Sequence, residues 1–398
     1  MPRATFNKVS SVVGEWTEKV TEVVRPTRDG TLVQQAPVID PAVRQGKAIK
    51  GGLAVLIPAY NEGKFVGETI KSVLEQSVPV DQIIVIDDCS TDNTGEVARS
   101  FGVSVMRPPK NCGSKATALN FALPHVTCEY TLAIDADTTL AHDAIEKLMR
   151  VFDDKTAIDE NGESTIAAVC GMVIPRNVRT MWERGRYIEY LYAFTFYKPV
   201  QDYYDRPLIA SGCFSAYRTD VLRQVGGWST RTVGEDMDLT WSVYMLNKSV
   251  RFAEDAVCYP VEPHNYHFIS KQLNRWSHGF AQCVKVHWKE VLEVPFLRTM
   301  VAVATWDAIM AVLGFFVLLP LLAIFVHPLF LVGYLIDIPT VAVPVLYKAI
   351  QRGELGRALA SLPGFFVLRF VNAVFVIRAF WKEFVANKPL LVFEKGHG

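Results

Sequence analysis

Acidic side chains follow two apolar segments of the chain, and their types and positions are those of a cation site. The segments are Gln82–Ile86 and Tyr130–Ile134. The residues that follow them are Asp87, Asp88, Ser90 and Asp92 in a first cluster, and Asp135 and Asp137 in a second. Carboxylates gathered at one place repel each other unless a cation or a donor-rich ligand is present. Hard oxygen ligands of this kind suit Mg²⁺ or Mn²⁺ whose coordination is completed by phosphate oxygens and water.

Four further motifs lie before, between and after these clusters. They are PAYNE at residues 58–62, GSKATALN at 113–120, GEDMDLT at 234–240 and QLNRW at 272–276. Lys115 begins a predicted helix and can neutralise a ligand phosphate, although the GxxxxGK[ST] spacing of a P-loop is missing. Each motif alone is a weak signal, so their order and spacing carry the information.

The order PAYNE, DD-S-D, GSKATALN, DAD, GEDMDLT and QLNRW resembles that of family 2 glycosyltransferases. Within that family the chain looks like the membrane-embedded synthase branch, which makes poly-N-acetylglucosamine, chitin, hyaluronan and cellulose. The resemblance covers about residues 53–280, and the apolar C-terminal part resembles the membrane region of the same branch. It implies a GT-A-like, that is Rossmann-like, α/β catalytic domain followed by a transmembrane helical region.

The resemblance also implies a nucleotide-sugar site. Pro58, Tyr60, Glu62 and Asp88 would hold the uridine of a UDP-sugar, and Lys115 would lie near its diphosphate. The donor side of the site would therefore be formed by the first acidic cluster and the residues around it.

The same resemblance assigns the chemistry to three carboxylates. Asp135 would contact the nucleotide, and Asp137 would bind the Mg²⁺ or Mn²⁺ that bridges the diphosphate. Asp236 would be the general base that deprotonates the acceptor hydroxyl, a role worth about 10²- to 10⁴-fold in rate. One base with no paired nucleophile suggests a single inverting displacement.

Residues of the last two motifs would complete the site. Gln272 and Arg275 would steady the diphosphate leaving group, while Glu235 and Trp276 would face the acceptor, with the indole as an aromatic floor under the sugar. The aromatic stretch Tyr187–Tyr197 is expected to pack or to touch a membrane surface rather than to form an acceptor platform.

These roles predict transfer of a hexose, N-acetylglucosamine in the first instance, from a UDP-sugar to a growing β-linked polysaccharide. Two alternatives stay open. One is transfer of a single sugar to a polyprenyl phosphate or another membrane acceptor, which the presence of Gln272–Trp276 disfavours. The other is a non-catalytic membrane scaffold or glycan-binding subunit, which the presence of Asp135, Asp137 and Asp236 disfavours.

Short apolar runs alternate with helical patterns through the first half of the chain, which predicts βαβ units on a mostly parallel sheet. The predicted strands are Leu53–Pro58, Gln82–Ile86, Val103–Met106 and Tyr130–Ile134. The predicted helices are Phe65–Gln76, Asp92–Ser100, Ala116–Leu123 and His142–Phe152. Ligands bind beyond the carboxyl ends of such strands, so both acidic clusters are expected at one edge.

The N-terminal 50 residues are predicted to be a polar extension. An amphipathic helical stripe surrounds Trp16 and ends at Arg25-Pro26, and residues 27–50 are predicted to be a linker. No secretory signal is expected there, because an apolar core of about 7 to 15 residues is missing. The stripe would pack on its own domain or lie on a membrane surface.

An apolar C-terminal region predicts membrane helices. Between Ala308 and Leu346 the only formally charged residue is Asp337, and two crossings broken near His327-Pro328 fit this length. A third apolar segment, Leu359–Trp381, would cross or re-enter the membrane. The expected domains are therefore residues 1–50, a GT-A domain at 51–295, and interfacial and transmembrane helices at 296–398.

Composition excludes some partners and agrees with others. The 41 Lys and Arg residues balance 41 Asp and Glu residues, so the chain has no basic excess for binding nucleic acid. Seven cysteines without a CxxC pair fit a reduced compartment. We expect an integral protein of the cell or inner membrane, in contact with membrane lipid, whose catalytic domain is cytosolic.

Overall fold

The computed structural model describes residues 24–26, 32–34, 49–335 and 337–390, so the predicted amphipathic stripe around Trp16 lies outside the described residues. Two short antiparallel strands, β1 (Val24–Pro26) and β2 (Leu32–Gln34), occur where a helix end and a linker were predicted. Gln34 pairs with Val105 at the sheet edge. The linker prediction is therefore wrong at β2, because an edge strand has free backbone groups that an extended segment can pair.

Ten strands of the described residues form one mixed sheet, in the order β1-β2-β5-β4-β3-β6-β9-β8-β10-β7. The remaining strands are β3 (Leu53–Ala59), β4 (Gln82–Asp87), β5 (Ser104–Met106), β6 (Tyr130–Ile134), β7 (Thr139–Leu140), β8 (Ile166–Val173), β9 (Phe214–Arg218) and β10 (Ser249–Tyr259). β5, β4, β3 and β6 run parallel, as predicted. β9 is antiparallel to β6 and β8, so the prediction of a mostly parallel sheet is correct only for the first half.

The helices of the first half agree with the sequence patterns to within two residues at each end. They are α1 (Val66–Leu74), α2 (Thr94–Ser100), α3 (Lys115–Ala122) and α4 (Ala144–Arg150). The start of α3 is fixed by Ser114, whose hydroxyl accepts a hydrogen bond from the Thr117 backbone N–H at 3.2 Å. This cap places Lys115 in the first turn of α3.

Strand β3 lies at the centre of the parallel half, with β4 and β6 on either side of it. Its residues Leu53–Ile57 are fully buried, as expected for a strand whose two faces are both covered by helices. Because the three strands run in the same direction, the segments that follow β3, β4 and β6 emerge side by side.

The second half of the described chain adds nine α-helices, and the last of them form the apolar region. They are α5 (Met181–Tyr192), α6 (Lys198–Tyr203), α7 (Thr219–Gln224), α8 (Glu235–Met245), α9 (Tyr266–Glu293), α10 (Leu297–Val312), α11 (Leu319–Phe325), α12 (Asp337–Gln351) and α13 (Leu355–Phe380). Helix α9 contains one non-helical residue, His287. Its Asn265 cap accepts a hydrogen bond from the Phe268 backbone N–H at 3.0 Å.

Two stretches of the described residues are long and apolar enough to cross a membrane: Pro328–Gln351 and Leu355–Val385. The predicted break near His327 is present, because α11 ends at Phe325 and a 3₁₀ segment begins at Pro328. The apolar stretch before this break is helical, but it is not one of the two candidate spans.

Helix α13 is one unbroken helix of 26 residues. Its length is about 39 Å at 1.5 Å per residue, so the segment does not form a re-entrant loop. It also packs closely on α5, since a Cβ added at Gly185 would lie 2.8 Å from the Gly364 carbonyl oxygen. Leu368 on α13 joins Ile269 and Leu273 on α9 in a buried cluster. The apolar helix α13 is thus attached directly to α5 and α9.

Candidate active site

A cavity of about 610 Å³ lies at the carboxyl ends of β3, β4 and β6. It brings together every residue that the sequence analysis assigned to the site. They are Pro58, Tyr60, Glu62, Asp88, Lys115, Asp135, Asp137, Glu235, Asp236, Gln272, Arg275 and Trp276. They come from segments far apart in the chain, so their meeting is a property of the fold. Their individual roles remain predictions.

Of the three aspartates in the first acidic cluster, one lines the cavity and two hold the local backbone in place. Asp87 is 1% exposed and accepts hydrogen bonds from Arg107 Nη1 at 2.5 Å and from the Ser90 backbone N–H at 2.9 Å. Asp92 accepts hydrogen bonds from the hydroxyl and backbone N–H of Thr94. Asp88 alone of the three lines the cavity, and it is the one that the sequence analysis assigned to the nucleotide. A carboxylate that follows a strand can shape the turn by accepting local hydrogen bonds, or it can bind a ligand.

Asp88 and Asn111 connect the two sides of the predicted nucleotide region. Asp88 Oδ1 accepts a hydrogen bond from the Cys112 backbone N–H at 2.6 Å, and Asn111 Nδ2 donates to the Asp88 carbonyl oxygen at 2.8 Å. Burial, together with the neighbouring Asp88, raises the pKa of the Cys112 thiol to about 12. Cys112 is therefore a neutral thiol at physiological pH.

Lys115 is the cation at the centre of the cavity. Its Nζ forms an ion pair with Asp135 Oδ1 and donates a hydrogen bond to the Gly212 carbonyl oxygen at 2.8 Å. Burial by itself would lower the pKa of Lys115, but the Asp135 and Glu235 carboxylates raise it above its ordinary value. The ammonium group thus stays charged and can neutralise an anionic ligand.

Glu235 and Asp236 begin α8, where the helix dipole favours negative charge. Asp236 Oδ2 accepts a hydrogen bond from the Gly212 backbone N–H, and Oδ1 accepts one from the Met237 backbone N–H, both at 2.9 Å. Both carboxylate oxygens are therefore held in place. An ionised carboxylate has about four acceptor positions, so each oxygen still has capacity for an incoming hydroxyl.

Glu235 is a buried carboxyl whose ionisation opposes folding. Burial, and then the neighbouring Asp236, raise the pKa of Glu235, while Lys115 and Arg275 act in the opposite direction. A carboxyl whose pKa is raised in the folded state makes stability fall as pH rises, because the folded protein binds the proton more tightly. We expect Glu235→Gln to increase the free energy of unfolding at pH 7.5 by about 1 kcal/mol.

This gain should shrink on acidification from pH 7.5 to pH 5, because the wild-type carboxyl is protonated to a greater extent as the pH falls. Chemical denaturation at the two pH values measures it. Glu163→Gln, on an exposed loop, is the matched control and should change neither value. A Glu235→Gln variant that is less stable than wild type at both pH values would contradict the expectation.

Gln272, Arg275 and Trp276 lie on one face of α9, as their i, i+3, i+4 spacing predicts. Arg186 on α5 orders this face. Its Nη2 donates a hydrogen bond to Gln272 Oε1 at 2.7 Å, and its guanidinium carbon lies 4.3 Å from the Trp276 ring centroid. One face of the indole is therefore covered by the guanidinium, although 39% of Trp276 is still exposed.

Arg186 is fully buried and belongs to a charged network that the sequence analysis missed. It forms ion pairs with Glu189 and with Glu262, whose Oε2 lies 3.6 Å from Arg186 Nε. Tyr190 donates a hydrogen bond from its hydroxyl to Glu262 Oε1 at 2.8 Å. Burial raises the pKa of Glu262, while Arg186 acts in the opposite direction.

Glu189, Tyr190 and Glu262 all line the cavity. A sequence signal for this wall existed, because Glu183, Arg186 and Glu189 are spaced by three residues and form one charged face of a helix whose only other charged residue is Arg184. Glu183 closes a capping box with Thr180 and so is structural. Glu189 lines the cavity, and Arg186 contacts Gln272 and Trp276, which also line it.

The donor atoms in the cavity fit a divalent cation of the Mg²⁺ type. Among the described residues no group of three or more His, Cys, Asp or Glu side chains forms a ready-made metal cluster. Mg²⁺ is commonly held by one or two carboxylates together with substrate phosphates and water, so a preformed cluster is not required. Asp137 and the remaining capacity of Asp135 supply such carboxylates beside Lys115.

Comparison with known proteins identifies the family of the segment that carries the first part of this site. Residues 54–226 match the family described as Glycosyl transferase family 2, and they form a domain of that family. The family prediction made from the motif order is thus confirmed. The match includes both acidic strand ends and Lys115, and it ends before α8 and α9.

The curated proteins that match in sequence include a synthase and an uncharacterized glycosyltransferase. A poly-beta-1,6-N-acetyl-D-glucosamine synthase of Staphylococcus epidermidis is 28% identical over 232 residues, which are 57% of this chain and 54% of that protein. The uncharacterized glycosyltransferase YaiP of Escherichia coli is 29% identical over 243 residues, which are 60% of this chain and 59% of that protein. The chain thus matches little more than half the length of these relatives, and they fit the predicted synthase branch.

One solved structure shares the fold over almost the whole chain. It is a mannosyltransferase from Pyrobaculum calidifontis in complex with GDP-Man and Mn²⁺. Its TM-score is 0.52 at 19% sequence identity, and the alignment covers 94% of this chain and 93% of that one. The predicted GT-A-like α/β class is therefore confirmed.

Proposed function

We propose that this protein is a membrane-bound inverting glycosyltransferase that moves N-acetylglucosamine from a UDP-sugar to a growing β-linked polysaccharide. One observation carries the proposal: a single cavity holds two acidic strand ends, the half-buried cation Lys115, a fixed carboxylate at the start of α8, and the Gln-Arg-Trp face of α9. The named synthase of Staphylococcus epidermidis supports the choice of sugar and of a polymeric product. The two apolar helical stretches support attachment to a membrane. We place the catalytic domain on the cytosolic side as part of the same proposal.

The proposed reaction divides the cavity between donor and acceptor. Pro58, Tyr60, Glu62 and Asp88 bind the uridine at the ends of β3 and β4. Lys115 and Arg275 neutralise the diphosphate, and Gln272 can donate from its amide nitrogen, since its oxygen already accepts from Arg186. Negative charge that develops on the leaving group is thereby stabilised.

On the acceptor side, Asp236 takes the proton from the attacking hydroxyl. The hydroxyl oxygen forms a bond to the anomeric carbon while the bond to the diphosphate breaks, so the configuration inverts. Trp276 and Glu235 bind the acceptor sugar. A divalent cation bound by Asp137 and Asp135 would supply charge neutralisation on the diphosphate.

Removal of divalent cations tests whether Asp137 and Asp135 hold a metal ion that the reaction needs. We expect EDTA to abolish transfer and Mn²⁺ or Mg²⁺ to restore it. Asp137→Asn should raise the half-saturating Mn²⁺ concentration by about tenfold or more, because loss of one carboxylate weakens the site. The exposed Asp153 offers a matched control, Asp153→Asn, which should titrate as wild type does. Full activity in EDTA would exclude the metal role.

The proposed function is tested by a donor screen on the purified full-length chain in nanodiscs with Mn²⁺. UDP release is measured for UDP-N-acetylglucosamine and UDP-glucose, GDP release is measured for GDP-mannose, and products are separated on a gel. A ladder formed from UDP-N-acetylglucosamine supports the proposal. A single lipid-linked sugar would establish the alternative acceptor, and absence of any transfer would favour a non-catalytic scaffold.

A further inference from the structure

A buried polar node joins the C-terminal end of the apolar region to helix α9. Its centre is Glu383, 1% exposed, in the π-helical turn Trp381–Val385 that follows α13. Glu383 Oε1 accepts hydrogen bonds from His278 Nδ1 at 2.6 Å, from Gln282 Nε2 at 2.8 Å and from the Leu390 backbone N–H at 3.2 Å. Three hydrogen-bond donors, from α9 and from the chain after the π-helical turn, thus converge on one buried oxygen of Glu383.

The node continues from α9 to the loop that precedes Asp236. Gln282 Oε1 accepts a hydrogen bond from the Val233 backbone N–H at 2.9 Å. Next to this contact, α9 and the loop meet backbone to backbone, since a Cβ added at Gly234 would lie 3.1 Å from the Gly279 Cα. Gly234 caps α8, whose first two residues are Glu235 and Asp236. The amide of Gln282 thus connects the Glu383 carboxylate to the segment that carries the proposed base.

The close packing means that this segment cannot move independently of α9. A Cβ on Gly234 or Gly279 would require the facing backbone to shift by a few tenths of an ångström, and Cys283 on the next turn of α9 contacts the Gly234 carbonyl oxygen at 3.6 Å. A shift of α9 at Gln282 would therefore displace the start of α8. Displacement of a reacting group by about 1 Å can cost about 10²-fold in rate.

We propose that Glu383 is a positioning residue for sugar transfer, which holds Asp236 in register through Gln282 and Val233. The inference rests on the proposed function, because it takes Asp236 as the base. Its consequence is that the C-terminal end of the second candidate membrane span is part of the catalytic apparatus. Attachment of the C-terminal helices then sets the turnover rate as well as the location of the enzyme.

An exchange of the side chains of Gln282 and Glu383 tests this inference. Gln282→Glu places a second carboxylate against Glu383, so the two repel each other and the link to Val233 is disturbed. We expect kcat to fall by about 10- to 100-fold while KM for the UDP-sugar changes by less than about twofold. Adding Glu383→Gln should restore kcat to within about threefold of wild type, because the new amide at position 383 can then donate to the carboxylate at position 282, which still accepts from Val233.

The control is Glu293→Gln, the reverse chemical change on the exposed end of α9, which should leave kcat unchanged. UDP binding by each variant verifies that the donor site is folded. Wild-type kcat in Gln282→Glu, or a double variant no faster than Gln282→Glu, would overturn the inference. If Gln282→Glu does not fold, Glu383→Gln alone decides, since a fall in kcat of about fivefold at constant KM supports the role and wild-type kcat refutes it.

Asp236→Asn is assayed in parallel, so that failure of Asp236 as the base can be distinguished from failure of Glu383 as a positioning residue. Wild-type turnover by Asp236→Asn would remove the base assignment and with it the proposed mechanism. An inactive Asp236→Asn together with a failed exchange at residues 282 and 383 would overturn only the positioning role of Glu383.

Discussion

Asp236→Asn should lower sugar transfer by about 10²- to 10⁴-fold while UDP binding persists, because the amide cannot accept the proton of the attacking hydroxyl. The substitution preserves size, and the amide oxygen can still accept from one of the two backbone N–H groups that hold the carboxylate. Radiolabelled sugar incorporation measures the rate, and equilibrium binding of UDP measures the donor site.

Asp238→Asn in the same motif is the matched control. Asp238 is fully buried and accepts hydrogen bonds from Arg231 Nη2 at 2.7 Å and from His287 Nε2 at 2.9 Å. Burial works against ionisation, but His287 and Arg231 hold the pKa of Asp238 well below its usual range. A carboxyl with a lowered pKa stabilises the folded state above its unfolded pKa, and this contribution is lost as pH falls.

Asp238→Asn should therefore lower the melting temperature at neutral pH, yet the folded fraction should still transfer sugar. The two aspartates, two residues apart, thus separate chemistry from stability. Turnover by Asp236→Asn close to that of wild type, or loss of UDP binding equal to the loss of transfer, would refute the assignment of the base.

Arg186→Met should destabilise the protein by about 3 to 5 kcal/mol, the cost of leaving a buried charge without its partner. Arg186 is fully buried, and Glu262 beside it is only 3% exposed. Removal of the guanidinium leaves the carboxylates of Glu262 and Glu189 uncompensated and Gln272 without its donor. Methionine fills a similar volume, so the loss reports charge rather than a cavity.

The pH dependence of this loss has a defined sign. Without Arg186 the pKa of Glu262 should rise further, because the cation that opposes the effect of burial is gone. The folded variant would then bind the proton more tightly than the unfolded chain, so its stability should fall as pH rises. The deficit should be larger at pH 8 than at pH 5.

Urea unfolding of the detergent-solubilised protein at both pH values measures this deficit. Arg184→Met, on the exposed side of the same helix, is the control and should change stability by less than about 0.5 kcal/mol. An Arg186→Met variant as stable as wild type would show that the buried network is neutral for folding.

Sequence patterns located most of the site because the positions of many of its residues are set by their neighbours in the chain. The carboxylates follow β4 and β6 directly, and parallel strands on either side of β3 must deliver their ends to one edge. Gln272, Arg275 and Trp276 share a helical face through their spacing alone. The bounds of α1 to α4 follow in the same way from apolar periodicity and capping residues.

What the sequence could not determine are contacts between residues that are far apart in the chain. Asp87 and Asp88 are adjacent aspartates, yet Arg107 neutralises the first and the second lines the cavity. No local sequence pattern predicts that β9 pairs antiparallel with β6 either. Such pairings are decided by which side chains the completed fold brings within a few ångströms.

By itself the sequence thus determined the family, the α/β class, the acidic edge and the residues that gather there. Only the tertiary structure decided how those residues are held: Lys115 between Asp135 and Gly212, Arg186 against Gln272, and Gln282 between Glu383 and Val233. The physical reason is that strand ends and helix faces follow from neighbouring residues, whereas the partner of a buried charge is selected by packing across the whole domain.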